Sequence, residues 1–306
     1  MPSATTVADH EGTRTAHDEK ATHPGMTDAR RAVLARLPVA ERRLSLAGVS
    51  TAVLEGGDGQ PVVLLHGPGE FAATWMRVIP DLVSSHRVIA PDLPGHGASE
   101  TGEGGLDRAL TWLGELIDRT CATPPTVVGH LLGGAMAARF AVGNGDRIGR
   151  LVLVDSFGLA RLRPAPRFAL AMMRFLARPS ARTQDGLFRQ CFVDLDGLRE
   201  QMDGRMELLE AYALERALSP ELKAALRRLM RHFGLPAIPK HDLAGITVPT
   251  SLIWGRHDRQ VRVGVAERAS ARYGWPLHVI EDAADDPAVE QPEAFLEVLQ
   301  AVLRRS

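Results

Sequence analysis

Val127-Val-Gly-His-Leu-Leu-Gly-Gly134 decides how the rest of this 306-residue chain is read. Residues 126–129 form a short β-branched run that favours a strand, and residues 132–142 have the apolar, alanine-rich character of a buried helix. The two stretches meet without an intervening loop, and Gly129 and Gly133 flank the junction. Glycine lacks a Cβ, so this pair lets strand and helix backbones approach closely through a sharp turn. A strand that passes directly into a helix is the repeating unit of a parallel sheet.

The same alternation continues on both sides. Strands are predicted at 51–54, 61–65, 87–90, 151–154, 250–254 and 277–280, each closed by Gly, Pro or Asp. The later ones are continuous apolar runs, as expected when helices cover both faces of a sheet. Between 156 and 249 no strand pattern occurs, and helices are predicted at 167–178, 184–193, 206–218 and 219–233. Ser219 suits the N-cap of the last of these and Pro220 its first position. The expected fold class is therefore α/β, a mostly parallel doubly wound sheet with core segments 41–155 and 250–306 and a helical cap at 156–249. The segment 167–178 is apolar around most of its circumference, which predicts burial on more than one side or the lining of a cavity, with Met172 as a candidate ligand-binding residue. Residues 1–40 lack apolar periodicity until 32–37 and read as a flexible tail ending in a short helix, with order beginning near Arg42.

Bulk properties narrow the function. Lys and Arg total 36 against 37 Asp and Glu, a net charge of −1, which gives no field favouring nucleic acid or anionic lipid. A small-molecule partner is expected, with no stable membrane insertion. Cys121 and Cys191 match no metal or redox spacing, so no disulfide, metal or other cofactor is expected. The first 20 residues lack an apolar signal core and no run approaches bilayer length, which points to the cytoplasm.

Three ordered motifs then become specific. His66-Gly-Pro-Gly69, Asp92-Leu-Pro-Gly-His-Gly-Ala-Ser99 and the 127–134 stretch resemble the α/β-hydrolase superfamily, in its capped epoxide hydrolase, esterase and C–C hydrolase-like branch. Leu252-Ile-Trp-Gly-Arg-His-Asp258 resembles the strand and turn that present the triad acid, and Glu290-Gln-Pro-Glu-Ala-Phe295 the start of the last helix. The resemblance spans about 42–303. It implies a nucleophile on the turn within Gly129–Gly133, where this chain has Leu131, and an imidazole in the loop 280–287, where it has Asp285. It implies a backbone oxyanion donor at Pro68, which has no N–H, and a second at Leu132. Asp258 retains the position of the acid, and Asp155 is an alternative acid at the end of another strand.

A leucine has no lone pair to attack a carbonyl, so Ser-His-Asp hydrolysis is not expected. Three readings remain open. In the first, a capped pocket lined by His66, Gly67, Pro68, Glu70, His130, Leu131, Leu132, Met172 and His257 binds a small apolar molecule or a partner without turnover, and Leu131 forms a greasy wall. In the second, Asp258 and Asp285 face each other and perform proton transfer for an isomerase, lyase or cyclase reaction. In the third, water and a non-standard base leave a residual hydrolase. His66, His96 and His130 are expected to serve the turns that carry them.

Overall fold

A computed structural model describes residues 28–304. Eight strands form one sheet: β1 (Ala40–Leu46), β2 (Val49–Gly56), β3 (Gln60–Leu65), β4 (His86–Pro91), β5 (Thr126–His130), β6 (Arg150–Val154), β7 (Thr250–Gly255) and β8 (Leu277–Ile280). Their order across the sheet is β1-β2-β4-β3-β5-β6-β7-β8. β1–β2 and β2–β4 pair antiparallel and the other neighbours parallel. The expected mostly parallel α/β sheet is what the chain forms.

Alternation along each strand explains the apolar runs. Val63, Leu65, Val127, Leu151, Leu153 and Leu252 enter one core, whereas Val62, Leu64, Val128, Val152, Val154 and Ile253 enter another. Successive side chains point to opposite faces, so a strand covered on both sides must be apolar at every position. The first core is closed by the helices α3 (Leu106–Thr120) and α4 (Leu131–Gly143), the second chiefly by α13 (Pro292–Arg304). Strand order reverses between β3 and β5, so the loops leaving their carboxyl ends diverge and open a crevice. His66 follows β3 directly, and Leu131 follows β5 as the first residue of α4.

Two sequence expectations need correction at the N-terminal side. β1 carries Glu41, Arg42 and Arg43 and is largely exposed, so it lacks the apolar signature of the inner strands; it is an edge strand whose charges discourage further pairing. Residues 1–27 lie outside the described residues, but 28–40 are no tail. Asp28–Leu34 is a helix, α1, and Arg30 on it is fully buried against Asp92 at 2.7 Å and Glu41 at 2.5 Å. Asp92 also accepts the backbone N–H groups of Ala72 and Ala98, which ties the turn after β4 to α1.

Between β6 and β7 the chain forms α5 (Pro166–Ala177), α6 (Ala181–Cys191), α7 (Leu195–Gln201), α8 (Arg205–Leu218), α9 (Pro220–Leu229) and α10 (Lys240–Ala244). Ser219 caps α9 by accepting the Leu222 N–H, with Pro220 in the first turn. Tyr212 on α8 accepts the Gly97 N–H at 3.0 Å and packs on Phe71, which fastens this layer to the loops after β3 and β4. Burial on more than one side, one of the two expectations for 167–178, is not found. Only Phe168 and Phe175 of α5 are buried, while Leu170, Met173 and Leu176 are exposed. Apolar composition alone does not state which face finds a neighbour. Among the described residues no helix is long and apolar enough to cross a membrane.

Candidate active site

The turn from β5 into α4 has the geometry that its glycines suggest. Leu131 adopts φ +43°, a left-handed conformation that a branched side chain enters at a cost of about 1–3 kcal/mol. A Cβ on Gly129 would lie 2.6 Å from the Gly133 carbonyl, and one on Gly133 would lie 2.5 Å from the Leu65 oxygen, so neither position accepts a larger residue. The Leu131 side chain is 2% exposed and packs into the sheet core.

Around this turn the strand ends gather carboxyl groups. Asp155 follows β6 with φ +44° and is fully buried; its Oδ1 accepts the Gly255 N–H at 3.0 Å. Asp258 follows β7, and its Oδ1 accepts the N–H groups of Gln260 at 2.6 Å and Val261 at 2.8 Å. Asp285 lies in the loop after β8, and its Oδ2 accepts the side-chain N–H of Gln260 at 3.3 Å. Gln260 thus spans the two aspartates that the sequence pairs. Among the described residues no N–H group reaches Asp155 Oδ2, Asp258 Oδ2 or Asp285 Oδ1. Asp286 caps the short helix α12 (Pro287–Glu290) through the Val289 N–H, and Glu290 accepts the N–H groups of Ala284 and Val193.

Removing carboxylates from water raises their proton affinity, and crowding like charges raises it further. Burial, then the neighbouring Asp258, hold Asp155 and Asp285 well above the ordinary carboxyl range. Burial pushes Asp258 up to about 6, against the Val261 and Gln260 N–H groups and a hydrogen bond from Asp155 that favour its ionised form. Burial likewise lifts Asp286 and Glu290 to about 7. Asp155 and Asp285 thus hold their protons more firmly than exposed carboxyl groups do, and the hydrogen bond from Asp155 favours the ionised form of Asp258.

His130 supplies the positive charge. Its Nε2 lies 2.5 Å from the Asp285 carbonyl oxygen, which can only accept, so that nitrogen carries a proton. Nδ1 faces Glu70 Oε2 at 3.4 Å. Burial opposes the charge on His130, but Glu70 and Asp286 overcome it and raise its affinity well above the ordinary value. Burial in turn opposes ionisation of Glu70, and His130, His66 and the Gly67 N–H at 2.7 Å overcome that and hold it low. Glu70, His130 and Asp286 bring ligating atoms within 4.8 Å of one another, and the His130–Glu70 ion pair is part of that cluster.

The remaining predicted residues scatter. His66 is buried, accepts the Leu93 N–H at Nε2 and donates from Nδ1 to the Gly67 carbonyl, and His96 is held down to about 3 chiefly by burial. Both serve the turns. Leu132 is buried in the first turn of α4, and Pro68 stands in the loop after β3. Met172 packs with Phe168, Phe175 and Leu187 within the helical layer, and His257 is exposed, so neither joins the enclosed set. The reading from sequence missed Asp286, Glu290, Gln260 and Cys191, whose carbonyl accepts the Asp285 N–H and whose thiol is raised well above its ordinary value by burial and by Asp285. The one available signal was the density of acids in 281–290.

These affinities give stability a pH dependence with a definite sign. A carboxyl group raised in the folded state stabilises fully below about pH 4, and that contribution is lost as pH climbs through the folded value. Asp258, Asp286 and Glu290 lose theirs between about 6 and 7, Asp155 and Asp285, raised well above the ordinary value, change in the same direction, and His130, raised above its own ordinary value, contributes below about 6.5 and loses that as pH rises. His66 and His96 act oppositely: lowered in the folded state, they stabilise above about 6.5 and less as pH falls. Urea unfolding should therefore show stability falling by on the order of 3 kcal/mol from pH 6.5 to 9, with a shallower slope in Asp285→Asn. A stability that rises over this interval is the contrary result.

Comparison with known proteins agrees with this architecture. The model of the "Alpha/beta hydrolase family" matches residues 62–298. The chain is 28% identical over 280 residues to 2-hydroxy-6-oxo-6-(2'-aminophenyl)hexa-2,4-dienoic acid hydrolase of Metapseudomonas resinovorans, covering 87% of this chain and 91% of that protein. It is 29% identical over 262 residues to pimeloyl-(acyl-carrier protein) methyl ester esterase of Aeromonas hydrophila subsp. hydrophila, covering 82% and 98%. Among solved structures, 2-hydroxy-6-oxo-6-phenylhexa-2,4-dienoate hydrolase from Rhodococcus sp. strain RHA1 superposes with a TM-score of 0.76 at 25% identity, over 87% of this chain and 99% of that one. With its eight-stranded sheet, its tight strand-to-helix turn and this match across most of its length, the chain belongs to the alpha/beta hydrolase family.

Proposed function

We propose that this family member acts on a small molecule by carboxyl-based proton transfer and forms no covalent acyl intermediate. The observation that carries the reading is the pairing of Leu131 at the tight turn with a buried Asp155–Asp258–Asp285 set around His130. Leu131 and Asp285 stand at the positions that the family pattern gives to nucleophile and imidazole. Neutral Asp285 can donate a proton to a carbonyl oxygen while ionised Asp258 accepts one from an adjacent carbon, a division of roles set by two different environments. Relatives named as hydrolases of dienoic acids and methyl esters act on carbonyl compounds. Cleavage here would need water as the nucleophile.

A second reading, ligand binding without turnover, draws on the packing of Leu131 and the low exposure of every carboxyl in the set. One experiment separates the two. In deuterium oxide, wild-type protein should speed hydrogen exchange at the carbon next to the carbonyl of small 2-oxo or 3-oxo acids, and Asp285→Asn should slow it about 10²-fold. Equal rates in both proteins would leave Asp285 without a catalytic role. A serine-directed fluorophosphonate should leave residues 126–135 unlabelled, and a stoichiometric adduct there would overturn both readings.

A further inference from the structure

A cleft of about 600 Å³ opens between the loop after β6 and the turn that leads into α11 (Gly264–Tyr273). Phe157, Leu162, Val261 and Val265 give it an apolar lining. Arg161, Arg163, Arg262 and Arg268 line it as well, and among the described residues none of the four is engaged in an ion pair. Other arginines of this chain are paired: Arg189 and Arg199 hold Asp185 and Asp196, and Arg256 holds Glu281 at 2.7 Å. Four like-charged guanidinium groups lining one cleft gain from an anion bound among them.

The N-terminus of α11 adds to the same field. Its N-cap residue is Val263, whose side chain supplies no oxygen, and Gly264 at the first position lines the cleft. A helix start without a capping side chain leaves its partial positive charge available to an anion. The acidic side chain on this rim is Glu267, already beside Arg256 at 3.8 Å. The cleft is also lined by Gln260, the residue that bonds both Asp258 and Asp285.

We propose that this cleft binds a small amphiphilic anion, with a carboxylate or phosphate head held by the arginines and an apolar body on Phe157, Leu162, Val261 and Val265. Arg forks match either head group, and the volume suits a single small molecule. The far end of such a molecule is directed to Gln260 and so to the carboxyl set; this last step rests on the proton-transfer reading, whereas anion binding does not.

The test uses the full chain and three matched probes: 4-phenylbutyrate, 4-phenylbutyl phosphate and neutral 4-phenylbutanol, titrated by calorimetry at low salt and at about 0.5 M salt. At least one anion should bind at least about tenfold more tightly than the alcohol, and salt should weaken it severalfold. The tighter of the two anions assigns the head group. Arg161→Gln with Arg163→Gln, and separately Arg262→Gln with Arg268→Gln, should each weaken that anion about tenfold and leave the melting curve in place, because all four side chains are exposed. Equal affinity for the alcohol, unchanged affinity in both double variants, or no measurable binding of either anion overturns the proposal. Anion binding without hydrogen exchange in the 2-oxo and 3-oxo acids retains the cleft and removes the proton-transfer reading; hydrogen exchange in those oxo acids without anion preference does the reverse.

Discussion

Leu131→Ser combined with Asp285→His is expected to raise hydrolysis of p-nitrophenyl butyrate at least about 10²-fold over wild type, while each single substitution stays within about threefold. Members of a catalytic triad act as a unit, so a serine without its base or an imidazole without its nucleophile gains little. The geometry favours the pair. The turn already holds residue 131 at φ +43° between its two glycines, and Asp258 keeps its position at the end of β7 with Oδ2 free of N–H donors. Gln260 shows how near residues 258 and 285 lie. Two features keep the variant slow: Pro68 offers no N–H to an oxyanion, and Glu70 occupies the Gly67 N–H. Pro68→Gly added to the pair should bring a further gain, since one oxyanion donor is worth about 10²–10³ in rate. Because Leu131 is packed, its truncation should also cost about 2–4 kcal/mol of stability, so circular dichroism must show that each variant folds. If all fold and neither the double nor the triple variant exceeds wild type, residues 131 and 285 do not stand at triad positions.

Arg30→Ala should destabilise the protein by about 3–5 kcal/mol, a large fraction of the stability of a single domain. Removing the guanidinium leaves the fully buried Asp92 carboxylate with backbone donors alone, and an uncompensated buried charge is costly. Glu41 is partly exposed, so Glu41→Gln should cost about 1 kcal/mol or less. Urea midpoints of the two variants decide the matter. If residues 28–40 behaved as a tail, both changes would be nearly neutral, and α1 would have no part in fixing the turn after β4.

Both experiments address places where sequence and structure carry different information. The inner strands were readable because burial on both faces demands apolar residues at each position, and every predicted strand lies within an observed one. β1 was not, because an edge strand with one pairing partner tolerates Glu41, Arg42 and Arg43. Leu131, Asp258 and Asp285 could be located from the order of motifs, since glycine spacing and strand ends are local properties. Met172 and His257 could not be placed, because an amphipathic helix and an exposed turn reveal a face without naming its neighbour.

By itself the sequence determined the parallel α/β sheet, the tight turn at Gly129–Gly133 and the absence of a hydroxyl or thiol there. The tertiary structure decided that Asp155, Asp258, Asp285, Asp286 and Glu290, drawn from three separate strand ends, share one dry site with His130, and that four arginines from two loops and α11 share one cleft. Chain connectivity and local backbone preference are encoded in neighbouring residues, whereas charge state depends on which groups meet across the fold and how much water remains between them.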